Sequence, residues 1–200
     1  MIQSTPDNSL LPREYQEVEY IESTGTQYID TGYIFGNATP TFKFKIYLDE
    51  NSFGKTIWGN ENMTLYPYNN SQIQSTYNGR NTVISDITFG WHDIELGKDY
   101  FACDDIRITF SLRIRENTTS LYLFGRNRDT SLILSSSRYR LYEVYEDESC
   151  VTPIQQFIPC YRKSDGVVGM YDLCGSICPL TGTPFYINAG EGEFLKGADI

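Results

Sequence analysis

Apolar and polar residues alternate with a period of two over several stretches of this chain. In Thr41–Leu48, Phe42, Phe44, Ile46 and Leu48 share one face, and Lys43, Lys45 and Tyr47 share the other. Ile106–Ile114 repeats the pattern over nine residues, and Tyr139–Tyr145 follows it more loosely. Near the start, Tyr15, Glu17 and Glu19 oppose Val18 and Tyr20. Shorter strands are predicted at Lys55–Gly59, Met63–Tyr68, Gln72–Tyr77, Thr82–Phe89, His92–Leu96, Tyr100–Cys103, Ser120–Gly125 and Ser131–Ser135. Asn78-Gly79, Gly54, Gly97 to Asp99, Glu116-Asn117 and Arg126 to Asp129 supply turn residues between them. No stretch of 12 or more residues carries helical periodicity, although one short helical turn is expected at Ser135–Ser137. Many short strands at this spacing predict an all-β fold, a two-sheet antiparallel jelly-roll sandwich. Beyond residue 150 the density of Gly and Pro predicts short strands in hairpins packed on that sandwich. The expected organisation is a polar, flexible arm over 1–11, a sandwich over 12–149 and Gly-rich hairpins over 150–200.

Composition narrows the function. The 200 residues include 16 Tyr and 11 Phe, which suit half-buried pleated surfaces. A chain this long buries roughly 70% of its unfolded surface, so its core needs no disulfide or metal. Net charge is −10, an average field that repels a phosphate backbone. Arg107, Arg113, Arg115, Arg126, Arg128, Arg138 and Arg140 interleave with acids and apolar residues and read as solvated strand faces, so no nucleic-acid partner is expected. No apolar run approaches a bilayer span, so no membrane insertion is expected either. The polar start lacks a secretory leader, which implies synthesis in a cytosol. Cys103, Cys150, Cys160, Cys174 and Cys178 are odd in number and lack zinc-ribbon spacing. They read as free thiols filling small apolar gaps, with Cys174–Cys178 as the one candidate late disulfide.

Two segments carry a resemblance. Leu11 to Gly32 (LPREYQEVEYIESTGTQYIDTG) and Phe157 to Leu173 (FIPCYRKSDGVVGMYDL), followed by Phe185 to Gly197, resemble LamG-like, concanavalin A-like sandwich proteins of bacteriophage virions and gut bacterial surfaces. Trp91-His92 leading a strand, Ser120 to Asn127, and Arg138 to Tyr145 are similar to further strands of that group. Two departures stand out: Asp104-Asp105 occupies the place of the family's Asp-Gly turn, and Cys174–Pro184 lengthens a loop that is short in the family. The resemblance implies a jelly-roll fold and a setting, and a fold by itself implies no chemistry.

Catalytic patterns are missing. Sandwich glycanases resembling this class place three carboxylates on one strand face, with a retaining pair about 5–5.5 Å apart. Glu17, Glu19 and Glu22 change parity, as do Glu143, Glu146 and Glu148, and Asp93 with Glu95 makes only two. His92 is the sole histidine and reads as a structural residue beside a core tryptophan. Gly190 to Gly197 carries two Glu and no following helix, which argues against phosphate binding. No catalytic residue is expected. For sugar binding, Trp58, Asn60, Tyr66, Tyr68, Tyr77, Asn78 and Arg80 combine flat aromatic faces with polar groups suited to hydroxyls, as do the neighbouring Asn62, Asn69, Asn70, Gln72 and Gln74. Core filling by Trp58 and the tyrosines, with asparagines making turns, accounts for the same residues equally well. Asp104, Asp105 and Asp129 offer oxygens of the kind calcium takes, but no ligand spacing specifies a site, so neither a cofactor nor a metal is expected.

These readings converge on a non-enzymatic virion protein, a capsid or tail-fibre decoration with a lectin-like domain. Other virion proteins, a homotrimer by family analogy, and host or mucosal glycans are its expected partners. A carbohydrate-binding module of a bacterial cell-surface protein is the alternative, and a glycan-processing enzyme of the same fold stands third.

Overall fold

The structure is a computed structural model that describes residues 10–69, 71–128 and 132–200. Among the described residues it contains strands and no helix. The first half holds β1 (Tyr15–Glu17), β2 (Ile21–Thr24), β3 (Ile29–Asp30), β4 (Thr41–Leu48), β5 (Trp58–Gly59), β6 (Thr64–Asn69), β7 (Gln72–Tyr77), β8 (Arg80–Ser85) and β9 (Gly90–Gly97). The second half holds β10 (Tyr100–Cys103), β11 (Ile106–Thr109), β12 (Tyr122–Leu123), β13 (Gly125–Arg126), β14 (Ile133–Leu134) and β15 (Ser136–Tyr145). β16 (Pro153–Arg162), β17 (Val168–Asp172), β18 (Phe185–Ile187) and β19 (Leu195–Lys196) complete it. The larger sheet runs β11-β10-β9-β4-β15-β16-β17-β18, with β2 on β15, β19 on β2 and β1 on β16. The smaller sheet runs β3-β12-β5-β6-β7-β8, and β13 with β14 forms a two-stranded ribbon.

The two sheets pack face to face as an antiparallel sandwich, and period two decides what lies between them. From β4, Phe42, Phe44, Ile46 and Leu48 all point inward, as their alternation predicts. β9 adds Ile94 and Leu96, and β15 adds Tyr139, Tyr142 and Val144. The smaller sheet answers with Trp58, Leu65, Ile73, Tyr77, Ile84 and Leu123. Trp58 is fully buried, its ring centroid 4.8 Å from that of Phe42 and 5.1 Å from that of Phe44. The next residue, Gly59, has φ 143°, and a Cβ there would lie 2.0 Å from the Met63 carbonyl oxygen. Only glycine lets β5 turn this tightly into β6.

Several expectations change. The strands beyond residue 150 are not an appended set of short hairpins. β16 runs for ten residues in the same sheet as β15, and Phe157, Met170, Tyr186 and Phe194 join the main core. Its prolines sit where a ladder tolerates them: Pro153 opens the strand, and Pro159 lies between the stretch paired with β15 and the stretch paired with β1. The other face of β16 is covered too. Ile158 and Cys160 pack with Leu11, Tyr15 and Phe185 in a second, smaller core. The Phe157-to-Cys160 run therefore lacks alternation because both faces are buried. Leu11, expected to end a flexible arm, is buried in that second core; residues 1–9 of the arm lie outside the described residues.

The nine-residue alternation at Ile106–Ile114 yields only the four-residue β11, an edge strand; Ile108 and Phe110 pack against the core, and the apolar positions beyond them have no such cover. Leu112 and Ile114 are exposed. The expected helical turn at Ser135–Ser137 is absent: Ser135 N donates to Phe124 O, and Ser136 starts β15. The predicted strand Thr82–Phe89 ends at Ser85, where Asp86 adopts a φ of 66°. The predicted strand Ser131–Ser135 is observed as Ile133–Leu134, with Ser131 outside the described residues. The long loop after β17 is pinned from below. Buried Asp172 accepts from the backbone N–H groups of Gln156, Cys174 and Ser176 and from the Ser176 hydroxyl, and Cys178 enters the core.

Burial raises many tyrosines, with Tyr33, Tyr122, Tyr145 and Tyr186 each pushed up to about 12. A phenol near 10 in the unfolded chain loses its proton first, so the unfolded state binds fewer protons between these values. Stability is therefore fully present below pH 10 and falls as pH rises through about 12. A series of urea midpoints across that range, read beside tyrosinate absorbance, will show the decline and the delayed ionisation together. Gly59→Ala is expected to cost about 2 kcal/mol or more in the same denaturation assay, through backbone strain and the clash with Met63.

Candidate functional site

The outward face of β6, β7 and β8 is polar because their inward positions hold the core residues. Register sets Tyr66 opposite Gln74 and Gln74 opposite Val83. One pair along, Thr64 faces Thr76 and Thr76 faces Asn81, with the Thr76 hydroxyl donating to Asn81 Oδ1 at 2.8 Å. Thr56, Glu61 and Arg126 rise beside these rows and close a cleft of about 410 Å³. Arg126 is fixed by donating from Nε to Asn60 O (2.9 Å) and from Nη2 to Glu61 O (2.8 Å). Glu61 Oε1 accepts from Thr118 N, whereas its Oε2 has no hydrogen-bond partner. Tyr66 is half-buried in the cleft, and exposed Tyr68 meets it edge-on with ring centroids 5.9 Å apart. The result is an aromatic face, a row of amides and hydroxyls and one cation in a shallow trough. Such a surface suits a neutral polyhydroxylated ligand.

Of the residues singled out for sugar binding, the structure brings Tyr66 and Tyr68 together here, and Arg80 stands exposed at the start of β8. Four others are corrected. Trp58 is core, packed at a tilt against Phe42 of the opposite sheet. Tyr77 is core, with its hydroxyl on Pro40 O at 3.3 Å. Asn60 is buried and shapes the β5–β6 turn: its Oδ1 accepts from Asn62 N and Met63 N, and its Nδ2 donates to Thr119 O. Asn78 is buried with φ 49°, followed by Gly79 at φ 78°, the paired positive values of a type I′ hairpin turn. Its amide bonds Arg113 O and Asn117. Gln74 is among the amides noted from the sequence, whereas Thr56, Glu61, Thr76, Asn81 and Arg126 were missed as a group. The shared parity of Gln72, Gln74 and Thr76 was a local signal for part of it, but nothing local joins Arg126 to β7. Asn70 lies outside the described residues.

A second groove, of about 270 Å³, crosses the outer face of the larger sheet. It brings Glu143 from β15 beside Asp93 and Glu95 from β9, a grouping that no single strand reveals. Lys43 of β4 stands in register between Glu95 and Glu143. Those two carboxylate residues are thus two strand spacings apart, about 9.6 Å at the backbone. Lys43 Nζ lies 3.7 Å from Glu95, Lys45 binds both oxygens of Asp93 at 2.9 Å, and Gln156 donates to Glu143. Tyr100 also donates to Glu95. Every acid in the groove is engaged by a cation or a donor.

His92 points inward with Ile94 and Leu96. Trp91 does not share its core: it lies on the outer face against Tyr47, with the Arg140 guanidinium 4.6 Å from its ring centroid. Adjacent residues on a strand take opposite faces, so Trp91 and His92 could not both be core. The Gly190 stretch is a clasp. Ala189 N and Glu191 N donate to Tyr28 O and Thr26 O, and a Cβ on Gly190 would lie 2.1 Å from Thr26 O. All five cysteines are free; Cys103, Cys160 and Cys178 are buried, whereas Cys150 and Cys174 are accessible. Asp129 lies outside the described residues.

Trp58→Ala is expected to destabilise the chain by about 3–5 kcal/mol, and Tyr68→Ala by less than about 0.5 kcal/mol, in chemical denaturation. Equal costs would contradict this division between core and surface. Compared with known proteins, the chain matches no family model and no curated protein.

Proposed function

We propose that this protein is a non-enzymatic component of a bacteriophage particle, a capsid or tail-fibre decoration whose sandwich holds glycans of the host or mucosal surface. The observation that carries the glycan reading is the cleft on the smaller sheet: half-buried Tyr66 flanked by Gln74, Thr76 and Asn81, with Arg126 and Glu61 among its lining residues. Tyr66 offers an apolar plate to the C–H face of a pyranose. The amides and hydroxyls provide donors and acceptors at strand spacing, about 4.8 Å, which is commensurate with hydroxyls on one or two sugar rings. The particle setting rests on the LamG-like resemblance of the N- and C-terminal segments. An oligomer, with a trimer as the first expectation, would multiply a weak single-site affinity by presenting several clefts at once.

A glycosidase role is disfavoured by the acidic groove, where Lys43 stands between Glu95 and Glu143. The same cleft would serve a carbohydrate-binding module on a bacterial surface, and labelled antibody on intact particles separates the two settings.

Glycan-array binding by the full chain is expected to favour neutral oligosaccharides and to drop at least about tenfold in Tyr66→Ala and Gln74→Ala. Signal that is equal in wild type and both variants would remove the cleft from consideration. Incubation with a polysaccharide panel is expected to release no new reducing ends.

A further inference from the structure

The sole histidine belongs to a group of side chains that the glycan cleft does not use. His92 projects from β9 toward the interior, Cys103 ends β10, and Asp104 opens the turn from β10 to β11. Asp104 has φ 50°, so the Asp104-Asp105 pair turns the chain without the glycine of the related pattern. Its N–H donates to Asp93 O at 2.8 Å, which extends the β9–β10 ladder and sets Asp104 beside His92. A ring nitrogen of His92, the Cys103 sulfur and an Asp104 carboxylate oxygen all lie within 4.8 Å of one another.

The hydrogen bonding around His92 makes this group more than a coincidence of types. Nε2 lies 2.8 Å from Thr88 O, and a carbonyl only accepts, so Nε2 carries the hydrogen. In the neutral ring Nδ1 then presents a lone pair, and it faces Asp104 Oδ2 at 2.7 Å. Two acceptors at that distance repel unless a proton lies between them, and a metal ion taking that proton's place would need the two atoms to move apart by a few tenths of an ångström. Asp104 is oriented in turn, its Oδ1 accepting from Asp93 N at 2.9 Å. A histidine anchored through its far nitrogen and a carboxylate anchored through its far oxygen are the outer-shell supports that metal ligands have. Cys103, fully buried, adds the soft donor.

We propose that His92, Cys103 and Asp104 bind a divalent transition-metal ion, with zinc the ion best matched to the nitrogen, sulfur and oxygen donors and solvent completing its coordination. Calcium and magnesium, which take oxygen ligands alone, do not fit this set. On binding, the Cys103 thiol gives its proton to solvent as the metal–sulfur bond forms. If the His92 ring is protonated beforehand, its Nδ1 proton leaves too. The thiolate and carboxylate together balance the charge of the ion. The ion ties β9 to the β10–β11 hairpin at the open edge of the larger sheet.

The test uses the untagged full chain after chelator treatment, titrated with Zn²⁺ by calorimetry and with Co²⁺ by absorbance. One ion per chain is expected, with a thiolate-to-Co²⁺ charge-transfer band in the near ultraviolet and a higher thermal midpoint with Zn²⁺. Cys103→Ser, nearly isosteric, is expected to abolish that band, and His92→Gln to weaken binding about tenfold or more. A Cys150→Ser, Cys174→Ser double variant, which removes the two accessible thiols, is expected to bind as wild type does. The proposal is overturned if wild type shows no saturable thiolate band, or if the band survives Cys103→Ser with circular dichroism unchanged. It also fails if His92 nitrogen chemical shifts report an imidazolium that added Zn²⁺ does not alter.

Discussion

The sandwich turns on Trp58. Its indole leaves the smaller sheet and lodges against Phe42 and Phe44 of the larger one, with centroid distances of about 5 Å that fix how closely the two layers approach. That wedge needs β5 to be short and sharply turned, and Gly59 makes the turn by having no Cβ to meet Met63. Once the indole is inside, parity along the following strands is settled: Leu65, Ile73, Tyr77 and Ile84 follow it inward, and Tyr66, Gln74, Thr76 and Asn81 are left outside. The core contact and the candidate binding face are two sides of one alternation.

A second constraint acts at the other end of the larger sheet. β16 is covered on both faces, by the main core through Phe157 and by Leu11, Tyr15 and Phe185 through Ile158 and Cys160. The ends of the described chain meet here and along β2, where β19 pairs with Ile21 and Glu22 and an isolated bridge joins Val18 to Asp199. Residues 11–32 and 157–197, at opposite ends of the sequence, are thus joined by backbone hydrogen bonds over a shared apolar patch.

Charge is distributed by the same geometry. Acids on the outer face of the larger sheet are matched across strands by Lys43 and Lys45, while Arg138 and Arg140 lie over Tyr20, Tyr47 and Trp91. The arginines read as solvated strand faces are therefore partly stacked on aromatic rings. The smaller sheet keeps Arg126 and Glu61 at a cleft edge, with Arg126 held there by the Asn60 and Glu61 carbonyls.

The alternation in residues 41–48 was sufficient to give the inward row of β4, and its recurrence along the chain without helical periodicity gave the all-β class, because period two is a local property of extended backbone. The turn at Asn78-Gly79 was equally legible, since two successive positive φ values need those residue types. Which aromatic goes inside was not legible. Trp58 and Tyr66 look alike as candidates for stacking, and only the presence of an opposing sheet over one and solvent over the other separates them. The same holds for Trp91 and His92, where parity excluded a shared core but could not say which of the two went in. Strand β16 was hidden by its prolines, and the cleft by the 51 residues between Gln74 and Arg126. The chain's local chemistry determined extended strands and tight turns. Pairing partners, layer contacts and the grouping of distant side chains were decided by tertiary structure, because burial depends on what lies across the gap and no residue carries that information alone.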